Sequence, residues 1–151
     1  MPHACISPSE SPQESIKVLY IEDDLGVARS MLRILRQNGY EVFGASTRDE
    51  AKYHTVVHGL RPDIILTDFH LGPEAGTADV IVAEIVTLLQ FKPPIILLTG
   101  TQSPQLDKVT SFADRILTKP VDIDVLLLEI GDLLRLPPRF NDTFTRRIVA
   151  P

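Results

Sequence analysis

Asp63-Ile64-Ile65-Leu66-Thr67-Asp68 is a short apolar run that ends in a carboxylate. With no polar alternation along its apolar part, it reads as a strand covered on both faces, as in a parallel sheet. Working outward from it, the same design recurs. Val18-Leu19-Tyr20-Ile21 runs into Glu22-Asp23-Asp24, Ile95-Ile96-Leu97-Leu98 into Thr99-Gly100, and Ile116-Leu117-Thr118 into Lys119-Pro120. In an open parallel sheet, ligands bind in the crevice at the carboxyl ends of the strands, so these polar termini are expected to converge.

Strands are expected near 17–22, 40–45, 63–68, 94–99 and 114–118. They alternate with helical segments at 25–38, 47–60, 77–90, a short one within 103–111, and 122–135. Such alternation predicts βαβ units with right-handed crossovers. The first helix is expected to bury Val27, Ala28, Met31, Leu32 and Leu35, and to stop at Asn38-Gly39. The second is expected to bury Ala51, Val56, Val57 and Leu60, and the third Val80, Ile81, Ile85, Val86 and Leu89. In the last, Leu126, Leu127 and Leu128 are consecutive. Successive helical residues turn by about 100°, so the three cannot share one face, and at least one is expected to be exposed or covered by a partner.

The convergent set has a chemical logic. Asp68 can act as a nucleophile toward a phosphoryl group, and Glu22 and Asp23 offer the oxygen ligands that a hard divalent ion such as Mg²⁺ requires. Lys119 would neutralise phosphoryl charge and Thr99 would donate a hydrogen bond. Clustered carboxylates raise one another's pKa, which a bound cation relieves. Asp24 falls where the first helix begins and reads as its N-cap instead. His54 and His58, four residues apart, read as a solvated helix face, because no third ligand accompanies them.

Taken together, Ile21-Glu22-Asp23-Asp24, Leu66-Thr67-Asp68, Leu97-Leu98-Thr99-Gly100 and Leu117-Thr118-Lys119-Pro120 resemble the receiver domain of two-component signalling, over roughly residues 16–136. The architecture expected is α/β: a flavodoxin-like, doubly wound, five-stranded parallel sheet of order 2-1-3-4-5 with five helices. The resemblance implies that Asp68 accepts a phosphoryl group from a phosphohistidine on a sensor histidine kinase or histidine phosphotransfer protein. It implies Mg²⁺ bound by Glu22, Asp23, Asp68 and the backbone carbonyl of His70, whose side chain reads either as a control on access to the phosphoryl group or as a solvated loop imidazole. It also implies a cis Lys119-Pro120 bond. No dedicated enzyme activity is expected beyond self-catalysed transfer to Asp68 and slow autodephosphorylation.

Two departures from the family pattern matter. Ile116 stands where Tyr or Phe is common, so an aromatic switch is not expected, and the signal falls to the loop after Thr99 and the helix within 103–111. The loop His70-Leu71-Gly72-Pro73-Glu74-Ala75-Gly76-Thr77 is more similar to receivers fused to hybrid sensor kinases. The rival readings are an unphosphorylated interaction module of the same fold and a phosphohydrolase of the haloacid-dehalogenase kind. The second would want Asp-x-Asp, where this chain has Asp68-Phe69-His70.

At 151 residues with 44% hydrophobic content, the chain suits one domain between two tails. Residues 1–15, rich in Ser and Pro, read as a flexible tail; 137–151, opening on Pro137-Pro138, read as a tail or linker. A net charge of −5 without a basic stripe argues against nucleic-acid binding, and no DNA-reading output module is expected after residue 136. A single cysteine, Cys5, and the lack of a signal pattern or membrane segment fit a cytoplasmic protein. The Leu-rich last helix is a candidate homodimer surface.

Overall fold

The structure, a computed structural model, describes residues 14–72, 76–100 and 111–135. The expected helix within 103–111 up to residue 110, the loop after Thr99 from residue 101 on, and nearly all of both expected tails lie outside the described residues. Five strands are present: β1 (Lys17–Ile21), β2 (Glu41–Ala45), β3 (Ile64–Asp68), β4 (Ile95–Thr99) and β5 (Arg115–Thr118). Among the described residues they alternate with α1 (Leu25–Gln37), α2 (Arg48–Val56), α3 (Ala78–Leu89) and α4 (Ile123–Leu133). The strands are all parallel, in the order β2-β1-β3-β4-β5.

Strand periodicity divides the core in two. Leu19, Ile21, Ile65, Ile95 and Leu97 pack on one side of the sheet against Ala51 of α2 and Ile81 and Ile85 of α3. Val18, Tyr20, Ile64, Leu66, Ile96 and Leu98 pack on the other against Met31 and Leu35 of α1 and Leu126 and Ile130 of α4. The inner strands are thus covered on both faces, which is why their sequences run apolar without alternation. Among the described residues, no helix is long and apolar enough to cross a membrane.

Helix ends follow local chemistry. The Asp24 side chain caps α1, accepting the amides of Gly26 and Val27 at 2.9 and 3.1 Å. Gly39, at φ 86°, turns the chain out of α1 into β2 in a conformation that glycine adopts without strain.

Four expected core residues are exposed instead: Val27, Val56, Val57 and Val80. The stripe on α3 runs through Ala78, Ile81, Val82, Ile85 and Leu89, and at about 100° per residue Val80 falls on its far side. Val56 and Val57 are turned well away from Ala51, the residue that α2 buries. Val27 lies at the margin of the α1 stripe, in the first turn beside the strand ends. The three consecutive leucines of α4 split as helical geometry requires, with Leu126 fully buried, Leu127 half-buried and Leu128 46% exposed.

Candidate functional site

Each acidic residue owes its position to a strand that ends. β1 stops at Ile21, leaving Glu22 and Asp23 on the turn into α1, and β3 delivers Asp68 as its final residue. One oxygen from each of Glu22, Asp23 and Asp68 lies within 4.8 Å of the others. Glu22 is 2% exposed, whereas Asp23 faces solvent. The cluster is therefore rooted in the core and open at its rim.

Every oxygen of Glu22 is engaged. Oε1 accepts the Asp24 amide at 3.1 Å, and Oε2 faces Lys119 Nζ at 3.2 Å and the Tyr20 hydroxyl at 3.4 Å. Lys119 Nζ is also 3.2 Å from Asp68 Oδ2, while Asp68 Oδ1 accepts the Phe69 amide at 2.7 Å. Thr99, buried at the end of β4, is paired in register with Thr118, and its carbonyl accepts the Lys119 amide at 2.7 Å. The expected site residues Glu22, Asp23, Asp68, Thr99 and Lys119 thus share the carboxyl edge of one sheet. The Lys119–Pro120 peptide is cis.

The electrostatics follow from burial and crowding. Burial lifts the Glu22 carboxyl above its usual range, with the Asp68 charge adding to it and the Asp24 amide and Lys119 opposing. Burial works against the Lys119 ammonium, but Asp68 and then Glu22 outweigh it and hold this amine above its ordinary value. Both partners of the pair shift upward because burial and a like charge win at Glu22. Burial, and next the Glu22 charge, push the Tyr20 phenol far above its ordinary value, so its hydroxyl acts as a donor.

The donor set suits a hard divalent cation: all three side chains offer oxygen, and among the described residues no sulfur or imidazole joins them. One lysine beside three carboxylates leaves excess negative charge for a cation to offset. The β3–α3 loop borders the cluster at Gly72, where φ is 84° and an added Cβ would stand 3.3 Å from Asp23 Oδ2. A side chain there is doubly disfavoured, which glycine avoids.

The histidines separate. The exposed His70 ring packs edge-on against Phe69 at 4.7 Å, and its backbone forms a bridge to Thr77. His54 is not the solvated residue expected: it is half-buried, with Nε2 2.9 Å from the Gly44 carbonyl. Its ring lies 5.6 Å from that of His58.

Tyr20 and Gly72 escaped the sequence reading. In the sequence Tyr20 reads as one more apolar strand residue, although strand periodicity puts it on the same face as Glu22 two residues later. That spacing was the available signal. Gly72 carried none, because its role depends on a loop conformation.

Comparison with known proteins agrees with this geometry. A family profile, the response regulator receiver domain, matches residues 18–131. The cell cycle response regulator CtrA of Brucella ovis is 30% identical over 123 residues, covering 80% of this chain and 50% of that protein. The chain therefore spans about half the length of the curated relatives it matches. Solved structures share the fold. A two-component response regulator from Clostridium difficile has a TM-score of 0.69 at 22% identity, covering 84% of this chain and 99% of that one. The receiver domain of the Francisella response regulator 1452 has a TM-score of 0.65 at 24% identity, covering 80% and 98%. A CheY-like receiver domain protein from Methanospirillum hungatei has a TM-score of 0.68 at 24% identity, covering 80% and 94%. On the profile match and the shared sheet, the chain belongs to the response regulator receiver domain family of two-component signalling.

Proposed function

We propose that this chain accepts a phosphoryl group on Asp68 from a phosphohistidine of a sensor histidine kinase or histidine phosphotransfer protein. Receiver domains of this family interact with such partners. An Asp68 carboxylate oxygen attacks phosphorus, the P–N bond of the donor breaks, and its electron pair returns to the imidazole nitrogen, which takes up a proton. Glu22, Asp23 and Asp68, with the His70 backbone carbonyl, hold Mg²⁺. Bound there, the cation supplies positive charge to the phosphoryl oxygens. Lys119 leaves its bridge to hold one phosphoryl oxygen, Thr99 donates to another, and the His70 side chain limits access to the site.

One observation carries the reading: Lys119 Nζ stands 3.2 Å from both Glu22 and Asp68 within a three-carboxylate cluster. An amine and a set of oxygen ligands at the carboxyl edge of one sheet are what phosphoryl acceptance needs. The exposed Val125 and Leu128 on α4 supply an apolar face through which two copies would associate.

The test is incubation with Mg²⁺ and acetyl phosphate, followed by intact mass. One phosphoryl increment per chain, labile to base and dependent on Mg²⁺, is expected. An unmodified chain after exposure to both the small donor and a phosphorylated phosphotransfer protein would favour the unphosphorylated interaction module.

A further inference from the structure

Within the buried run Val18–Ile21, Tyr20 carries the one polar side-chain atom. Its ring packs with Met31, Leu35, Leu66 and Leu98 between the sheet and the helices α1 and α4. A buried phenol needs an acceptor, and its hydroxyl lies 3.4 Å from Glu22 Oε2. The ring alone would fill the same space as Phe, so the oxygen calls for a separate account.

That account comes from Lys119. Its amine is 3.2 Å from the same Glu22 oxygen and also 3.2 Å from Asp68 Oδ2, so it steadies both acids at once. An amine that turns to a phosphoryl group on Asp68 gives up its hold on Glu22. Among the described residues, the Asp24 amide on Oε1 and the Tyr20 hydroxyl on Oε2 are then the donors that remain to Glu22. At 3.4 Å the phenol bond is long for a hydroxyl on a carboxylate, as expected while the amine occupies the same oxygen.

We propose that Tyr20 is a positioning residue whose hydroxyl keeps the Glu22 carboxylate aimed at the divalent cation while Lys119 serves the phosphoryl group. This inference rests on the reading of the cluster as the metal site of a phospho-acceptor. Donors that orient a ligating carboxylate influence metal affinity without touching the metal.

The test is Tyr20→Phe in the full chain, which removes the oxygen and keeps the ring. Calorimetric titration with Mg²⁺, with and without beryllofluoride, should give a Kd about 10-fold weaker than the parent's, with the larger loss in the presence of beryllofluoride. The Tm without metal should stay close to the parent's, and labelling by acetyl phosphate should recover at saturating Mg²⁺. A pure packing role predicts an unchanged Mg²⁺ Kd whatever the Tm does, and that result would overturn the proposal. A second measurement needs no variant. In protein carrying ¹³Cζ-tyrosine, the Tyr20 resonance should move on addition of Mg²⁺ and beryllofluoride while Tyr40 and Tyr53 stay put. A stationary Tyr20 resonance counts equally against it. Parent protein that binds no Mg²⁺ would remove both this inference and the reading beneath it. Parent binding with Tyr20→Phe unchanged would remove the inference alone.

Discussion

Lys119 Nζ lies 3.2 Å from Asp68 Oδ2, tying the residue after β5 to the last residue of β3 across the end of β4. The same amine reaches Glu22 Oε2, so one cation holds together two acids whose charges repel, Asp68 and the buried Glu22. Replacement of Lys119 by Met should therefore lower stability without metal by ~1–2 kcal/mol, toward the weak end for a buried pair because the amine is partly exposed. Added Mg²⁺ should recover more Tm in Lys119→Met than in the parent. Equal Mg²⁺-induced shifts in the two proteins would mean that the amine and the cation do not share a site.

Glu22 sets a pH dependence of definite sign. Its carboxyl is raised on folding, so the folded state binds more protons than the unfolded state between the two pKa values. Its contribution to stability is thus largest at acid pH and is lost as pH rises through the folded pKa. Without metal, Glu22→Gln should be more stable than the parent at neutral pH, with the gap narrowing as pH falls toward the ordinary glutamate range. Saturating Mg²⁺ should reverse the order at neutral pH, since the cation binds the ionised form. Urea melts across pH, with and without Mg²⁺, check both halves.

On α4, adjacent leucines should behave differently. Leu126 is fully buried and Leu128 is 46% exposed, so Leu126→Ala should cost ~2–5 kcal/mol and Leu128→Ala ~0.5 kcal/mol. Chemical denaturation of the two variants decides it. A large loss at Leu128 in dilute protein would indicate that this face is covered in solution.

The edge strand β2 is guarded. Arg36 donates to the Val42 carbonyl at 3.1 Å, and His54 Nε2 lies 2.9 Å from that of Gly44. Val42 and Gly44 are offset by odd numbers of residues from Glu41 and Ala45, whose backbone groups bond toward β1, so their carbonyls face the open side of the sheet. Unguarded strand edges invite pairing with other chains. The double variant Arg36→Ala, His54→Ala should form concentration-dependent oligomers by light scattering after size exclusion, where the parent elutes unchanged.

Much of this was legible because the inner strands are simple. A strand buried on both faces needs an unbroken apolar run, and a strand that enters a crevice ends in a polar residue, so β1, β3 and β4 and the polar residues at their ends could be read directly. Val27, Val56, Val57 and Val80 are exposed against expectation because hydrophobic residues need not be buried; the sheet covers only part of each helix. His54 departs from its expected solvation because its partner is a backbone carbonyl on another element, which no spacing along the chain reveals. Tyr20 lay hidden for the opposite reason. Its ring satisfies the apolar pattern so well that the pattern conceals the hydroxyl.

The measurement closest to the central claim is intact mass of the parent and of Asp68→Asn after equal exposure to acetyl phosphate and Mg²⁺, with circular dichroism to check that both are folded. The amide keeps the size of the carboxylate but cannot attack phosphorus. The account predicts one base-labile phosphoryl group on the parent and none on Asp68→Asn. Full labelling of folded Asp68→Asn would contradict it.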